Sequence, residues 1–262
     1  MIVRHESDGS LVMITQNDHA QAAGLCATHW GNAQFARARP FESSVRAAFL
    51  HDLAWLREET YPRFDHGTGR PQNYLDVPSE EQIDEYRWAN DWLGSADRYA
   101  GLLVSKHRTG IWKSRYGLMK QPHYPPRPLS DAIEAFVARS HAEQNAAGAG
   151  LDPLELTTNY ILLQVWDFLS LYICTNEPLK EQFIEPVPIG YAEGAAVRMR
   201  LLPVAATRVA IEPFPFDQPS LDVKVVHRRL GTSGFEDAET FRFAYFRTAP
   251  QVASYTFFDP AQ

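Results

Sequence analysis

The spacing of apolar residues changes character about two thirds of the way along the chain. Up to residue 176, apolar positions recur every three or four residues in long segments, which is the period of an amphipathic helix. Beyond it, short segments alternate apolar and polar residues between prolines, as in an antiparallel sheet with one solvated face. The pattern predicts a helical domain at 16–176 and a β-rich domain at 177–262.

Capping and turn residues divide the two regions into individual elements. Helices are expected at 15–30, 41–55, 79–92, 98–106, 130–147 and 153–174. Strands are expected at 197–202, 207–211, 221–226, 240–246 and 252–258. A hairpin at 1–15, turning at Ser7–Asp8–Gly9–Ser10, is a candidate to join the later strands. The predicted fold class is α+β: an all-helical bundle followed by a C-terminal antiparallel β-rich domain.

Composition narrows the range of partners. The chain has 262 residues, of which 45% are hydrophobic and 22% charged, as in ordinary globular proteins. A formal net charge of -7 argues against nucleic-acid binding, which needs a basic surface. No apolar stretch reaches the length of a membrane span. Cys26 and Cys174 both fall in apolar helical segments, which favours reduced thiols and a cytoplasmic protein.

Asp167 is the most conspicuous polar residue of the chain. It lies in the middle of the apolar run 161–174, which is typical of a central buried helix. An unpaired charge buried there would cost several kcal/mol, so the carboxylate needs a compensating group. A metal ion is the favoured interpretation, and a buried Arg or a Tyr hydroxyl is the alternative.

A second set of candidate ligands lies far upstream. His51 and Asp52 are adjacent near the end of the helix predicted at 41–55, and His19 lies in the helix before it. A histidine of this kind is more often solvent-facing or capped when it occurs alone. The order His, His-Asp, Asp, with each residue on a predicted helix, is what gives the set its weight.

Read together, His19, His51-Asp52 and Asp167 resemble the HD superfamily, whose helical bundle carries a His, an adjacent His-Asp pair and a distant Asp around a metal. Within it, the chain is similar to a bacterial domain-of-unknown-function family of about this length. In that family a Trp closely follows the His-Asp pair and the last helix reads Asp-x-Leu-Ser-Leu, here Trp55 and Asp167-Phe-Leu-Ser-Leu171. The resemblance covers about residues 16–176 and implies an HD-type bundle.

The resemblance implies that His19, His51, Asp52 and Asp167 are metal ligands. Imidazoles and carboxylates suit one or two divalent transition-metal ions such as Mn, Fe, Co, Ni or Zn. In HD phosphohydrolases the ion holds a phosphate oxygen and lowers the pKa of a water. We therefore expect a metal-dependent phosphohydrolase that acts on a small phosphorylated or nucleotide-like substrate.

A basic segment supplies the candidate catalytic residues, which are His107, Lys106 and Arg108. It continues through Lys113, Arg115 and Lys120, which is unusual in an acidic chain and suits a small anionic substrate. Basic residues also favour the C-terminus of a helix, so a purely structural role stays open. His107 is a candidate for a second-metal ligand, a general acid or a phosphate contact.

Two other functions remain alternatives. An HD-type di-iron oxygenase would need more histidines between Asp52 and Asp167, and the chain offers them at positions 66, 107, 123 and 141. A non-catalytic binding module would use the metal structurally and make its contacts through the β-rich domain. The aromatic content of that domain also makes a homodimer a candidate assembly.

Overall fold

The computed structural model describes residues 1–119 and 128–261. Its helices are α1 (Gln16–His29), α2 (Phe41–Leu50), α3 (Leu56–Glu59), α4 (Ile83–Ala96), α5 (Arg98–Trp112), α6 (Asp131–Gly148), α7 (Pro153–Thr175) and α8 (Ala238–Arg247). Its strands are β1 (Ile2–His5), β2 (Leu11–Ile14), β3 (Phe64–Asp65), β4 (Arg70–Pro71), β5 (Gln182–Pro188), β6 (Ala196–Ala205), β7 (Arg208–Glu212), β8 (Ser220–Leu230) and β9 (Gln251–Phe258). Short 3₁₀ turns cover Leu53–Trp55, Tyr74–Asp76, Ser79–Gln82 and Ser114–Gly117.

Seven of the described strands form one sheet in the order β1-β2-β8-β9-β7-β6-β5. The N-terminal hairpin is part of it, because β2 pairs with β8 and places Leu11 opposite Leu230. Neighbouring strands are antiparallel except β7 and β9, which run parallel. The sheet is therefore mixed and draws strands from both ends of the chain.

The predicted fold class is wrong. There is no self-contained helical bundle in the described chain, because α1 packs directly against β8 and α7 contacts both β1 and β5. Cys26 of α1, Trp166 of α7 and Val223 of β8 belong to one buried cluster. Small residues in α1 let the helix lie close to the sheet, a packing role that helical periodicity does not reveal. The division into domains at residue 176 stays a prediction.

Helix α8 corrects a second prediction, because the segment 240–246 was expected to be a strand. The Asp237 side chain accepts a hydrogen bond from the backbone N–H of Thr240 at 2.7 Å and caps the helix. Phe241 and Tyr245, one helical turn apart, are buried against residues of β2 and β8. The same aromatic positions fit period two or a spacing of four, and the N-terminal cap favours the helix.

The outer helices enclose the region where the polar residues meet. Helix α7 contacts α1, α2 and α5, so it is central among the helices. Asp152 caps its N-terminus by accepting from the backbone N–H of Leu154, and Pro153 fills the first turn. None of the helices in the described ranges combines the length and apolarity needed to cross a membrane. The cytoplasmic location stays a prediction.

Candidate metal centre

Four helices bring their polar residues to one buried point. His19 comes from the start of α1, His51 and Asp52 follow the end of α2, His107 lies on α5 and Asp167 lies on α7. All five residues are buried. The His19 and His51 rings are 5.0 Å apart between centroids, and the His51 and His107 rings are 5.1 Å apart. The four predicted ligands and His107 thus lie together although 148 positions separate His19 from Asp167 in the sequence.

The chain changes direction at the end of α2, which orients His51 and Asp52 toward the cluster. The predicted helix at 41–55 is too long, because α2 ends at Leu50 and Asp52 leaves helical geometry at φ -108° and ψ 21°. The chain then continues as the 3₁₀ turn Leu53–Trp55. This change of direction lets both adjacent side chains reach the cluster.

His51 presents one ring nitrogen to the centre of the cluster. Its Nδ1 donates to the carbonyl of Ala48 at 2.8 Å, which fixes the ring and the tautomer. Its Nε2 is buried, lies 3.4 Å from Asp167 Oδ1, and makes no hydrogen bond of normal geometry within the described chain. One donor atom each from His19, His51 and Asp167 lie within 4.8 Å of one another. This group can hold a metal ion.

Ser170, one turn beyond Asp167 on α7, orients His19. Its hydroxyl donates to the Asp167 carbonyl at 2.8 Å, so its oxygen accepts from His19 Nδ1, also at 2.8 Å. His19 Nε2 then faces Asp52 Oδ2 at 2.7 Å. The Asp-x-Leu-Ser motif contains Ser170, but the sequence did not assign it this role.

Arg115 is the residue at this site that sequence analysis missed. It was grouped with the basic segment, yet its guanidinium is 3% exposed and donates to Asp167 Oδ2 at 3.1 Å. The turn that places it is strained, because Ser114 and Arg115 have positive φ values of 50° and 54°. The alternative interpretation of Asp167, a buried Arg partner, is therefore present beside the candidate metal ligands.

The buried charges of the cluster are balanced only when one additional positive charge is present. Burial alone would raise the pKa of Asp167, but His51 and the nearby positive charges hold it far below its usual range. Asp52 is likewise held below its usual pKa, chiefly by His51 against the cost of burial. With neutral histidines, Arg115 balances only one of the two carboxylates. Burial would lower the pKa of His51, but Asp52 and Asp167 raise it to about 9, so without metal the extra positive charge is a proton.

His107 lies at the edge of the ligand group. Its Nε2 is 3.7 Å from Asp167 Oδ2, and its buried Nδ1 has no hydrogen-bond partner among the described residues. Burial lowers the pKa of His107 to about 3, and the charges of His51 and Arg115 add to the effect. A neutral imidazole can ligate a metal or accept a proton, but it has no acidic proton to give as a general acid near pH 7.

A cavity of about 190 Å³ opens onto the cluster. His19, Asp52, His107 and Asp167 line its polar part. Arg108 lines the wall, with its guanidinium 3.7 Å from the centre of the Tyr86 ring and its Nη2 donating to Gln82 Oε1 at 2.7 Å. Lys106 does not line the cavity and packs instead over the Tyr160 ring at 5.5 Å. Of the three predicted catalytic residues, the structure thus brings His107 and Arg108 to the site.

The other histidines considered lie elsewhere or outside the described ranges. His66 contacts Phe64 in the β3–β4 turn, and His141 lies on α6, and neither lines the cavity. His123 and Lys120 fall in 120–127, outside the residues that the structure describes. The oxygenase alternative needed several additional histidines, and within the described ranges His107 alone joins the cluster.

Comparisons with known proteins identify the family of the chain. Neither the curated proteins nor the solved structures contain a match to this sequence. One family model, described as "Protein of unknown function (DUF3891)", matches residues 1–232 and so includes every residue of the cluster. This agrees with the expected likeness to a family of unknown function. The chain therefore belongs to the DUF3891 family.

Proposed function

We propose that the protein is a metal-dependent hydrolase of HD type that acts on a small phosphorylated substrate. The observation that carries the proposal is the convergence of His19, His51 and Asp167 donor atoms within 4.8 Å, buried beside a cavity that Arg108 lines. A purely structural metal site would need no cavity with a cation in its wall. The cavity therefore favours a catalytic site over a binding module.

The donor set fits a divalent transition metal. Two imidazole nitrogens and a carboxylate oxygen suit borderline ions such as Mn, Fe, Co, Ni or Zn, and the unpartnered Nε2 of His51 is a buried atom that such an ion would satisfy. Asp52, beside His19, is the candidate fourth ligand. When bound, the ion would lower the pKa of a water and draw charge from a phosphate oxygen.

The protein's own residues prepare the site. Ser170 and the Ala48 carbonyl orient the two imidazoles, and Arg115 donates a hydrogen bond to Asp167. Arg108, which packs over two aromatic rings and lines the cavity, would bind the substrate phosphoryl group. In the overall reaction, a water oxygen bonds to phosphorus, the ester P–O bond breaks, and one proton of the water ends on the leaving alcohol.

Hydrolysis of p-nitrophenyl phosphate and bis(p-nitrophenyl) phosphate tests the proposal. The wild-type chain, loaded separately with Mn, Fe, Co, Ni or Zn, should release p-nitrophenol with at least one ion. His51→Ala should lose this activity by a factor of at least about 10². His66→Ala, which changes an imidazole outside the cavity, should keep it. No activity with any ion, or equal activity in His51→Ala, would refute the proposed function.

A further inference from the structure

The cavity wall is mostly apolar away from the ligand cluster. Three aromatic rings contribute to it, those of Trp55, Tyr74 and Trp112, together with aliphatic side chains from the 3₁₀ turns and from α5 and α6. A volume of about 190 Å³ lies below the roughly 300–1,000 Å³ of sites for drug-sized ligands. The apolar part of this wall stabilises an apolar group of about one or two rings.

Leu75 gives the wall a specific apolar contact. Its side chain is 55% exposed although it lines the cavity. The turn that carries it is held in place, since the backbone N–H of Tyr74 donates to the Met1 carbonyl at 2.8 Å and Asn73 Nδ2 donates to the Val3 carbonyl at 2.9 Å. A fixed turn that presents leucine to the cavity provides a contact surface that a bound apolar group would cover.

Charge limits the anionic part of the ligand. Among the described residues that line the cavity, Arg108 carries the one permanent positive charge, and Glu80 adds a negative one. Arg108 is fixed by the Tyr86 and Trp112 rings, at 3.7 and 4.3 Å, and by Gln82. One guanidinium beside one metal site matches a single phosphoryl group, whereas a chain of phosphates would need more cations.

We infer that the ligand of this cavity is a phosphomonoester of an apolar, aryl-sized group, with Arg108 contacting the phosphoryl group and Leu75 contacting the organic group. This inference rests on the proposed function, because it names the substrate class of the same site. It also assigns Leu75, which carries no chemistry of its own, as a residue that determines specificity.

Binding of phosphonates tests the ligand class without any hydrolysis, because their C–P bond is not hydrolysed at a phosphoesterase site. Calorimetric titration of the manganese-loaded chain should give a dissociation constant for 1-naphthylmethylphosphonate at least about tenfold lower than for methylphosphonate, since the rings bury apolar area. Equal affinity for the two phosphonates would overturn the inference.

Two variants with matched controls separate the two contacts. Leu75→Ser should weaken naphthylmethylphosphonate binding about five- to tenfold and leave methylphosphonate unchanged. Leu56→Ser, at a leucine 46% exposed on α3 but outside the cavity, should change neither. Arg108→Gln should weaken both phosphonates alike by about tenfold or more. Arg57→Gln, at an arginine stacked on Trp88 outside the cavity, should weaken neither.

The result distinguishes this inference from the proposed function. A naphthyl preference lost in Leu75→Ser, without hydrolysis of 1-naphthyl phosphate under any metal, would support the ligand class and overturn the hydrolase. Hydrolysis of 1-naphthyl phosphate without a naphthyl preference, or with a preference that Leu75→Ser leaves intact, would support the hydrolase and overturn the ligand class.

Discussion

Helix α5 contributes to two buried polar clusters that differ in how completely their atoms are paired. In the first, Gln144 Nε2 of α6 donates to Ser105 Oγ at 2.9 Å and to Thr109 Oγ1 at 3.0 Å, and Thr109 Oγ1 donates to the Ser105 carbonyl. This cluster is neutral and joins two helices. Its side chains satisfy one another, so it needs no ligand.

The second cluster contains charged residues, and two of its ring nitrogens make no hydrogen bond to the described residues. Asp52, Asp167 and Arg115 are buried together, and His51 Nε2 and His107 Nδ1 have no hydrogen-bond partner in the described part of the chain. A buried polar cluster whose atoms are all hydrogen-bonded can be explained by packing alone, whereas metal-ligating atoms without hydrogen bonds, next to ionised carboxylates, indicate a binding site. Burial of polar residues is therefore not sufficient to identify a site. Incomplete pairing of metal-ligating atoms is the distinguishing feature.

The largest predicted effect is a loss of stability when the ion pair between Asp167 and Arg115 is broken. Asp167→Ala should reduce the free energy of unfolding by about 3–5 kcal/mol, because Arg115 is left buried without its carboxylate. Urea denaturation of the metal-free proteins measures it. The double variant Asp167→Leu, Arg115→Met should recover wild-type stability or exceed it, yet bind no metal. A single variant as stable as wild type would contradict the ion pair.

The expected loss of stability depends on Arg115, whose position could not be predicted from the sequence. Asp167 was singled out by its apolar neighbours, and the helix expected at 153–174 agrees with α7 at Pro153–Thr175. Arg115 lies 52 residues earlier in a turn with positive φ values, which no periodic pattern signals. A buried partner that depends on tertiary packing leaves no local trace in a single sequence.

The fold was predictable where local signals were strong and not where packing decided. The strand at 221–226 has period two and lies within β8, Ser220–Leu230. That β8 pairs with the N-terminal β2, and that α1 packs on the sheet, depends on contacts about 200 residues apart in sequence. The period of apolar residues predicts individual elements, but it does not specify which strands pair or whether a helix packs on a sheet or on another helix.

A smaller effect is expected at Ser170, which orients a candidate ligand without touching a metal. Ser170→Ala should weaken metal binding about 10- to 100-fold, because His19 loses the partner of its Nδ1. Competition against a fluorescent chelator measures the affinity. Ser140→Ala, another buried serine but on α6, serves as the matched control and should bind metal like wild type. Unchanged affinity in Ser170→Ala would remove its orienting role.

The smallest effect is expected in the neutral cluster. Gln144→Met keeps the volume but removes the donor shared by Ser105 and Thr109, and should cost about 1–2 kcal/mol of unfolding free energy. Metal content and affinity should not change. Loss of metal in this variant would show that the two clusters are coupled and would undo the comparison.

Metal content per chain tests the central claim most directly. Elemental analysis after incubation with Mn, Fe, Co, Ni and Zn and removal of free ions should find one or two divalent ions per wild-type chain. The double variant His51→Ala, Asp52→Ala should retain none, while His66→Ala should match wild type. A wild-type chain that retains no ion under any of these conditions would contradict the account and leave a cluster held by protons and Arg115 alone.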